Sequence, residues 1–331
     1  MADVVSAQSV APRTDALSAA EPVAAEQPLG RYGLRLEPAA GRSPRVVVSV
    51  HGFNAGRESA ERLLGPARGA GLRCGTFAYP NDQPLEKSAE LLSEELRRLR
   101  LRWPAARVAL VTHSMGGLVA RACVEDDRLA QGNVSHLIMV APPTHGSRLA
   151  PYAVGTDLWE HWLCRRTGGP YARIRDAIAD GLGEAADDLT PGSPFLQRLN
   201  ARGRNPAVAY TLILGAGGGV TDEQLRWARK RMRRALAGIG ARSTAERLDR
   251  CLADMDEFVT GRGDGVVAVK RARLAGVDDV VVLPFGHLSV LRGADAGAAS
   301  RPAPTAADVI LQRLRSPAPA GLPKSSAAAK D

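Results

Sequence analysis

The sequence has few cysteines, few aromatic residues and no long apolar run. Its four cysteines lie far apart and form no C-x-x-C pair, which argues against a zinc site and leaves free thiols or disulfides open. Aromatic residues make up 4% of the chain and do not interleave with basic ones, so no nucleic-acid partner is expected despite the formal net charge of +9. No eighteen consecutive apolar residues occur, so no membrane-spanning helix is expected.

Both ends of the chain have a low-complexity composition. Residues 1–30 are rich in Ala, Pro, Ser and Glu and lack the charged start and apolar core of a signal peptide. We therefore expect a disordered head over 1–30 and a soluble, cytoplasmic protein. A Pro/Ala/Lys composition predicts a disordered tail over 316–331. Residues 31–315 are long enough for one large domain with insertions.

Short β-branched runs alternate with amphipathic helical patterns between these ends. The strand patterns cover 45–50, 72–79, 108–111, 134–141, 208–214 and 280–283, and the clearer helical patterns cover 58–70, 84–103 and 306–314. This alternation predicts right-handed β-α-β crossovers. The expected fold class is therefore α/β, with a doubly wound, mostly parallel sheet.

Two segments interrupt the alternation and predict insertions. Residues 148–205 place Trp and Tyr among glycines and charges, as expected of a cap or lid over the carboxyl edge of the sheet, where α/β sites lie. Residues 220–260 predict a helical hairpin whose helices start with capping boxes at Thr221 and Ser243. The first helix, over 221–236, is strongly basic. A solvated face is one interpretation, and peripheral contact with an anionic membrane or an acidic partner is the other.

A serine follows the central strand pattern directly. The segment T-H-S-M-G-G at 112–117 separates this strand pattern from a helical one. A serine at such a sharp turn projects its Oγ from the sheet and needs small residues two positions before and after it. Gly116 meets this need, whereas Thr112 stands where the commonest pattern, G-x-S-x-G, has glycine. Ser114 is thus the candidate nucleophile.

Acyl transfer at a serine also needs a base, an acid that orients the base, and donors for the oxyanion. The chain offers H-G-F at 51–53, Ser114, Asp264 in a Gly-Asp-Gly turn and His287 after the last strand pattern. This order favours Asp264 as the acid and His287 as the base. The alternatives that stay open are His145 for the base and Asp256, Asp278 and Asp279 for the acid.

These motifs together resemble the lipase/esterase branch of the α/β-hydrolase superfamily, including lid-bearing bacterial lipases and proteins with a V-H-G-F-N opening. The matching segments are 50–54, 112–117, 141–147, 189–200, 263–267 and 286–288, within a resemblance over about 44–290. The basic hairpin has no counterpart. The resemblance implies a triad of Ser114, Asp264 and His287, and an oxyanion hole from the backbone N–H groups of Phe53 and Met115. His51 and Gly52 would support the oxyanion loop, with His51 acting by hydrogen bonding.

The function expected from this reading is that of a serine hydrolase. It would cleave a carboxylic ester, either a small molecule or a lipid, through an acyl-enzyme on Ser114, with no cofactor or metal. An acyltransferase or thioesterase with the same triad is the near alternative. An α/β-hydrolase-fold interaction protein without turnover is the alternative from another class.

Overall fold

A computed structural model describes residues 30–38, 44–148, 183–253, 255–292 and 304–317 of the chain. Most of the expected cap, residues 149–182, lies outside the described residues, as do nearly all of the expected disordered head and tail. Within the described residues, no helix combines the length and the apolar character needed to cross a bilayer.

Seven strands in the described residues form one sheet in the order β1-β3-β2-β4-β5-β6-β7. The strands are β1 (Gly33–Leu36), β2 (Arg45–Val50), β3 (Arg73–Ala78), β4 (Arg107–His113), β5 (Val134–Val140), β6 (Ala209–Gly215) and β7 (Val280–Leu283). Strand β1 runs antiparallel to β3, and every other neighbouring pair is parallel. The predicted α/β class with a mostly parallel sheet is confirmed.

Helices cover both faces of this sheet. The α-helices of the described residues are α1 (Arg57–Glu61), α2 (Gly65–Gly69), α3 (Leu85–Arg102), α4 (Met115–Val124), α5 (Gly183–Asp188), α6 (Pro194–Ala201), α7 (Asp222–Gly238), α8 (Arg242–Ala253), α9 (Val269–Ala272) and α10 (Ala306–Arg315). Alternate residues of a strand point to opposite faces. Accordingly, Val46, Val48 and Val50 share a buried cluster with α3 and α4, whereas Val47 packs in a second cluster with α2 and α10.

Helix α3 shows how directly the pattern specifies an element. Its apolar positions recur at helical spacing and are at most 4% exposed: Leu85, Ala89, Leu92, Leu96 and Leu99. The helix begins after Pro84, ends at Arg102, and Pro104 follows two residues later.

The structure corrects several predicted boundaries. The single helix expected over 58–70 is divided into α1, a 3-10 turn at Arg62–Leu64 and α2, because Pro66 has no N–H to continue the helical ladder. The capping box expected at Ser243 is wrong, since α8 begins one residue earlier, at Arg242. The strand predicted over 72–79 is one residue shorter at each end.

Helices α7 and α8 form the arm, which we define as residues 221–253. Thr221 caps α7 through the predicted capping box with Gln224. A bidentate ion pair between Arg229 of α7 and Asp249 of α8, at 2.9 and 3.1 Å, joins the two helices. The residues flanking the arm pair with each other, because Val220 forms an isolated parallel bridge with Val259.

Candidate active site

Ser114 lies at the sharp turn between β4 and α4. Its backbone has φ of +51° and ψ of −125°, a region that non-glycine residues rarely adopt. The Ser114 N–H donates to the Val140 carbonyl at the end of the neighbouring strand, which anchors the turn to the sheet edge. The sequence pattern of strand, strained serine and helix therefore has the expected local structure.

Two glycines follow Ser114 in close contact with neighbouring segments, and at Gly116 the contact excludes any side chain. A Cβ at Gly116 would lie 2.4 Å from the His51 carbonyl oxygen, which is closer than any side chain tolerates. A Cβ at Gly117 would lie 3.2 Å from Thr112 Oγ1. The threonine that replaces the usual glycine is thus accommodated partly because the facing residue, Gly117, has no side chain.

A continuous chain of hydrogen bonds joins the three candidate triad residues. Ser114 Oγ lies 2.9 Å from His287 Nε2, and His287 Nδ1 lies 2.8 Å from Asp264 Oδ2. An ionised carboxylate only accepts hydrogen bonds, so Nδ1 carries the imidazole proton and Nε2 is left as the acceptor for the serine hydroxyl. All three residues are at most 8% exposed.

The backbone fixes the orientation of Asp264. Its Oδ1 accepts from the N–H groups of Val266, at 2.9 Å, and Val267, at 2.7 Å. Its own carbonyl accepts from the His287 N–H at 2.8 Å, which ties the loop of the acid to the loop of the base. The remaining carboxylate oxygen, Oδ2, therefore faces the imidazole.

The H-G-F segment lies against the serine turn. A Cβ at Gly52 would be 3.1 Å from Ser114 Cβ, which shows how closely this loop approaches the serine. His51 is buried and stacks on the Tyr79 ring at a centroid distance of 4.3 Å. Its Nε2 accepts from the Tyr79 N–H at 3.2 Å, so Nδ1 carries the proton and lies 2.9 Å from the Gly52 carbonyl. Burial lowers the pKa of His51, which keeps the ring neutral.

The second predicted donor, Met115, is the first residue of α4. The first four N–H groups of a helix have no acceptor within the helix and point outward from its N-terminus. The Met115 N–H is therefore one of the free donors at this helix end, directly after Ser114.

His113 contacts the main chain of His287, and the sequence analysis did not predict this contact. Its Nε2 lies 2.9 Å from the His287 carbonyl oxygen, and the two rings are 4.8 Å apart. Burial, followed by the electrostatic effect of His287, lowers the pKa of His113 to about 3. A neutral His113 therefore positions the main chain of His287. The position of His113 directly before Ser114 is the feature of the sequence that could have indicated this contact.

The rival residues have other partners. His145 is exposed, and its Nδ1 lies 3.3 Å from the Asn200 amide nitrogen. Asp279 pairs with Arg313, and Asp256 pairs with Lys270 and Arg262, whereas Asp278 is exposed. The structure brings His287 and Asp264 to Ser114, and none of these four.

A cleft of about 550 Å³ opens beside the triad loops. Its lining includes Asn54, adjacent to Phe53, and Leu288, adjacent to His287, together with Arg57, Arg62 and Leu291. The cleft therefore combines apolar and cationic side chains beside the loops that hold Phe53 and His287. Within the described ranges, no group of three or more His, Cys, Asp or Glu side chains could hold a metal ion.

The mostly parallel sheet, the strained serine after its central strand, and the acid and histidine on loops near the following strands define an α/β-hydrolase fold. A family model described as the PGAP1-like alpha/beta domain matches residues 81–161, the segment that contains α3, β4, the serine turn, α4 and β5. No curated protein sequence is significantly similar to the chain.

Solved structures of lipases resemble this chain. The mature form of the Bacillus licheniformis lipase BlEst2 is 19% identical, with a TM-score of 0.50 over 79% of this chain and 93% of that one. Its propeptide form is 18% identical, with a TM-score of 0.53 over 80% of this chain and 51% of that one. Staphylococcus hyicus lipase is 14% identical, with a TM-score of 0.48 over 79% and 92% of the two chains. At these identities, the likeness to the two BlEst2 structures, with TM-scores of 0.50 and 0.53, shows the fold alone.

Proposed function

We propose that this protein is a serine hydrolase that cleaves a carboxylic ester through an acyl-enzyme on Ser114. The observation that carries the proposal is the hydrogen-bond chain from Ser114 through His287 to Asp264, with distances of 2.9 and 2.8 Å. Buried side chains aligned in this way, at the end of a sheet, supply the nucleophile, the base and the orienting acid that acyl transfer needs. The BlEst2 lipase carries the same fold, which supports an ester as the substrate.

In the proposed reaction, His287 Nε2 takes the proton of Ser114 as Oγ attacks the ester carbonyl. The N–H groups of Phe53 and Met115 stabilise the negative oxygen of the tetrahedral intermediate. His287 then donates the proton to the leaving alcohol, which leaves an acyl group on Ser114. A water molecule deprotonated by His287 attacks that acyl group, and collapse of the second tetrahedral intermediate restores the serine.

The electrostatics around the triad fit this cycle. Asp264 stabilises the imidazolium that forms twice per turnover and keeps the Nδ1 proton in place. His113 and His51 stay neutral because burial lowers the pKa of each, so neither competes with His287 as a charged neighbour. The position of Ser114 at the N-terminus of α4 also favours the negative charge that develops there.

A fluorophosphonate probe tests the nucleophile directly. Wild type is expected to be labelled on Ser114, and Ser114→Ala is expected to escape labelling at unchanged folding by circular dichroism. Labelling of the Ser114→Ala variant at the wild-type rate would assign the nucleophile to another residue.

A matched histidine pair tests the base. We expect His287→Ala to abolish turnover of short-chain p-nitrophenyl esters, a loss of roughly 10⁴-fold or more, because the serine loses its proton acceptor. His145→Ala should retain most of the activity. The reverse result would transfer the base to His145. A chain-length series of the same esters, with and without a lipid interface, then separates a small-ester esterase from a lipase.

A further inference from the structure

Helix α7 of the arm has two faces of different character. None of its residues is buried. Leu225, Met232 and Leu236 are half-buried, whereas four residues at positions i, i+3, i+4 and i+7 are all exposed on the opposite side. We call these four the outer face: Trp227, Lys230, Arg231 and Arg234. This helix therefore turns a tryptophan and three cations away from the rest of the arm.

The cations of the outer face are not neutralised by the arm itself. Arg229, on the inner side, is taken by Asp249, and Arg233 lies 4.0 Å from the same carboxylate. Among the described residues, no carboxylate lies within ion-pair distance of Lys230, Arg231 or Arg234. The two acidic residues of α7 are both in its first turn. The outer face thus carries three cations that have no carboxylate partner in the part of the chain that the structure describes.

Trp227 adds an apolar group beside this charge, about one helical turn before Lys230 and Arg231. Its side chain is 62% exposed, and the Arg231 guanidinium lies over its ring at 5.4 Å. Ile239, directly after the helix, is 77% exposed. Lys and Arg side chains are attracted to anionic lipid headgroups, and the amphipathic ring of tryptophan favours the membrane interface, so a surface that carries both suits an anionic bilayer.

The arm is joined to the fold at the edge that holds the candidate site. Strand β6 ends at Gly215, six residues before Thr221, and the arm ends at Ala253, eleven residues before Asp264. The Gly218 N–H donates to the Gly263 carbonyl at 2.8 Å, beside Asp264. A surface that binds the arm is therefore connected to Asp264 through a short segment of the chain.

We propose that the outer face of α7 docks the protein on a phospholipid bilayer that contains anionic lipids. Lys230, Arg231 and Arg234 meet the lipid phosphates, and the Trp227 ring enters the boundary between headgroups and acyl chains. This binding step goes beyond the proposed ester hydrolysis and does not require it, so the two can fail separately.

The test uses the full chain and flotation with vesicles of phosphatidylcholine, with or without a minority of phosphatidylglycerol. Three variants are compared with wild type: Lys230→Gln/Arg231→Gln/Arg234→Gln, the control Lys87→Gln/Arg100→Gln/Arg102→Gln in α3, and Ser114→Ala. The control removes the same charge from exposed residues of another helix. Trp227→Phe reports insertion, because the blue shift of tryptophan emission on adding vesicles should be smaller in this variant.

We expect wild type and Ser114→Ala to bind the anionic vesicles equally well. Each cation near an anionic surface contributes about fivefold in partitioning, so the outer-face triple variant should bind about 100-fold more weakly, and the control less than about threefold. Binding of wild type should weaken as salt is raised.

Three results would overturn the inference: no binding of wild type to anionic vesicles, equal losses in the two triple variants, or outer-face-dependent binding to an oligonucleotide or polyglutamate without binding to vesicles. If binding is lost in the outer-face variant while short-ester turnover persists, the docking surface and the hydrolase are separate properties, as proposed. If vesicles bind normally and no ester is cleaved, the hydrolase assignment alone fails.

Discussion

Replacing Asp264 with asparagine is the sharpest test of the proposed triad, because the structure dictates which way the amide will face. Asp264 Oδ1 accepts two backbone N–H groups, at 2.9 and 2.7 Å, and an asparagine NH₂ group cannot accept either of them. The asparagine oxygen must therefore occupy the Oδ1 position. Its NH₂ group then points at His287 Nδ1, where Oδ2 lay at 2.8 Å.

The expected consequence is the wrong tautomer of the base. His287 Nδ1 must accept from the amide, so the proton moves to Nε2, which can no longer take the proton of Ser114. A loss of this kind lowers kcat by about 10⁴, or about 5.5 kcal/mol of transition-state stabilisation. Folding should be almost unaffected, since both backbone hydrogen bonds persist.

Two measurements separate this effect from a general disturbance. The kcat for a short-chain p-nitrophenyl ester reports the chemistry, and urea unfolding reports stability. Asp264→Ala is the matched comparison: it should also lose activity, but it leaves two buried N–H groups unpaired at a cost of about 1–3 kcal/mol each. Activity of Asp264→Asn within tenfold of wild type would refute the assigned role of Asp264.

Three further changes have expected outcomes. His113 has a folded-state pKa of about 3 against an ordinary 6.5, so the unfolded chain binds more protons between these values and the free energy of unfolding decreases as the pH is lowered. Between about pH 7 and about pH 5, this group lowers the stability by about 2 kcal/mol. Urea unfolding should show that this loss is absent in His113→Asn. Gly116→Ala forces its Cβ against the His51 carbonyl and should lose about 1–3 kcal/mol of stability and most of the esterase activity. Arg121 is fully buried and lies 3.1 Å from Glu125, so the variant Arg121→Met should lose about 3 kcal/mol of folding stability. Its kcat should be normal in the molecules that remain folded.

Each of these expectations can fail. Parallel pH profiles of wild type and His113→Asn would mean that His113 is protonated in the folded protein. Gly56→Ala, where a Cβ meets nothing within 4 Å, is the control for Gly116→Ala, and equal effects of the two would remove the steric argument. For Arg121, the double variant Arg121→Met/Glu125→Leu should recover only part of the lost stability, because it removes the buried Glu125 carboxylate but also takes the ion pair at 3.1 Å away from Arg204.

The features that could be predicted from the sequence are those set by local pattern. Helix α3 is predicted by a regular apolar stripe and a following proline. The turn at Ser114 is predicted by the strand and helix patterns on either side of it. Chain order was enough to place Asp264 and His287 ahead of their rivals, because the ends of parallel strands meet at one edge of the sheet.

What the sequence did not reveal depends on contacts between distant segments. Strand β1 has four residues, and its pairing with β3 supplies a regularity that G-L-R-L alone does not show. Arg121 has the pattern of a solvent-facing charge, yet it is fully buried because Glu125, Asn200 and the Leu199 carbonyl receive its guanidinium. The contact of His113 with the His287 main chain likewise joins residues that are 174 positions apart.

The segments that flank the arm have a consequence for how such a protein can change during evolution. Val220 and Val259 lie side by side although 38 residues separate them, and Thr260 Oγ1 bonds back to the Gly218 carbonyl. The two ends of the insertion are therefore fastened to each other before the chain reaches Asp264. An insertion whose two ends pair in this way can be lengthened, shortened or exchanged during evolution while the geometry around Asp264 stays constant. The same paired ends offer protein engineers a position at which a different insertion can be grafted.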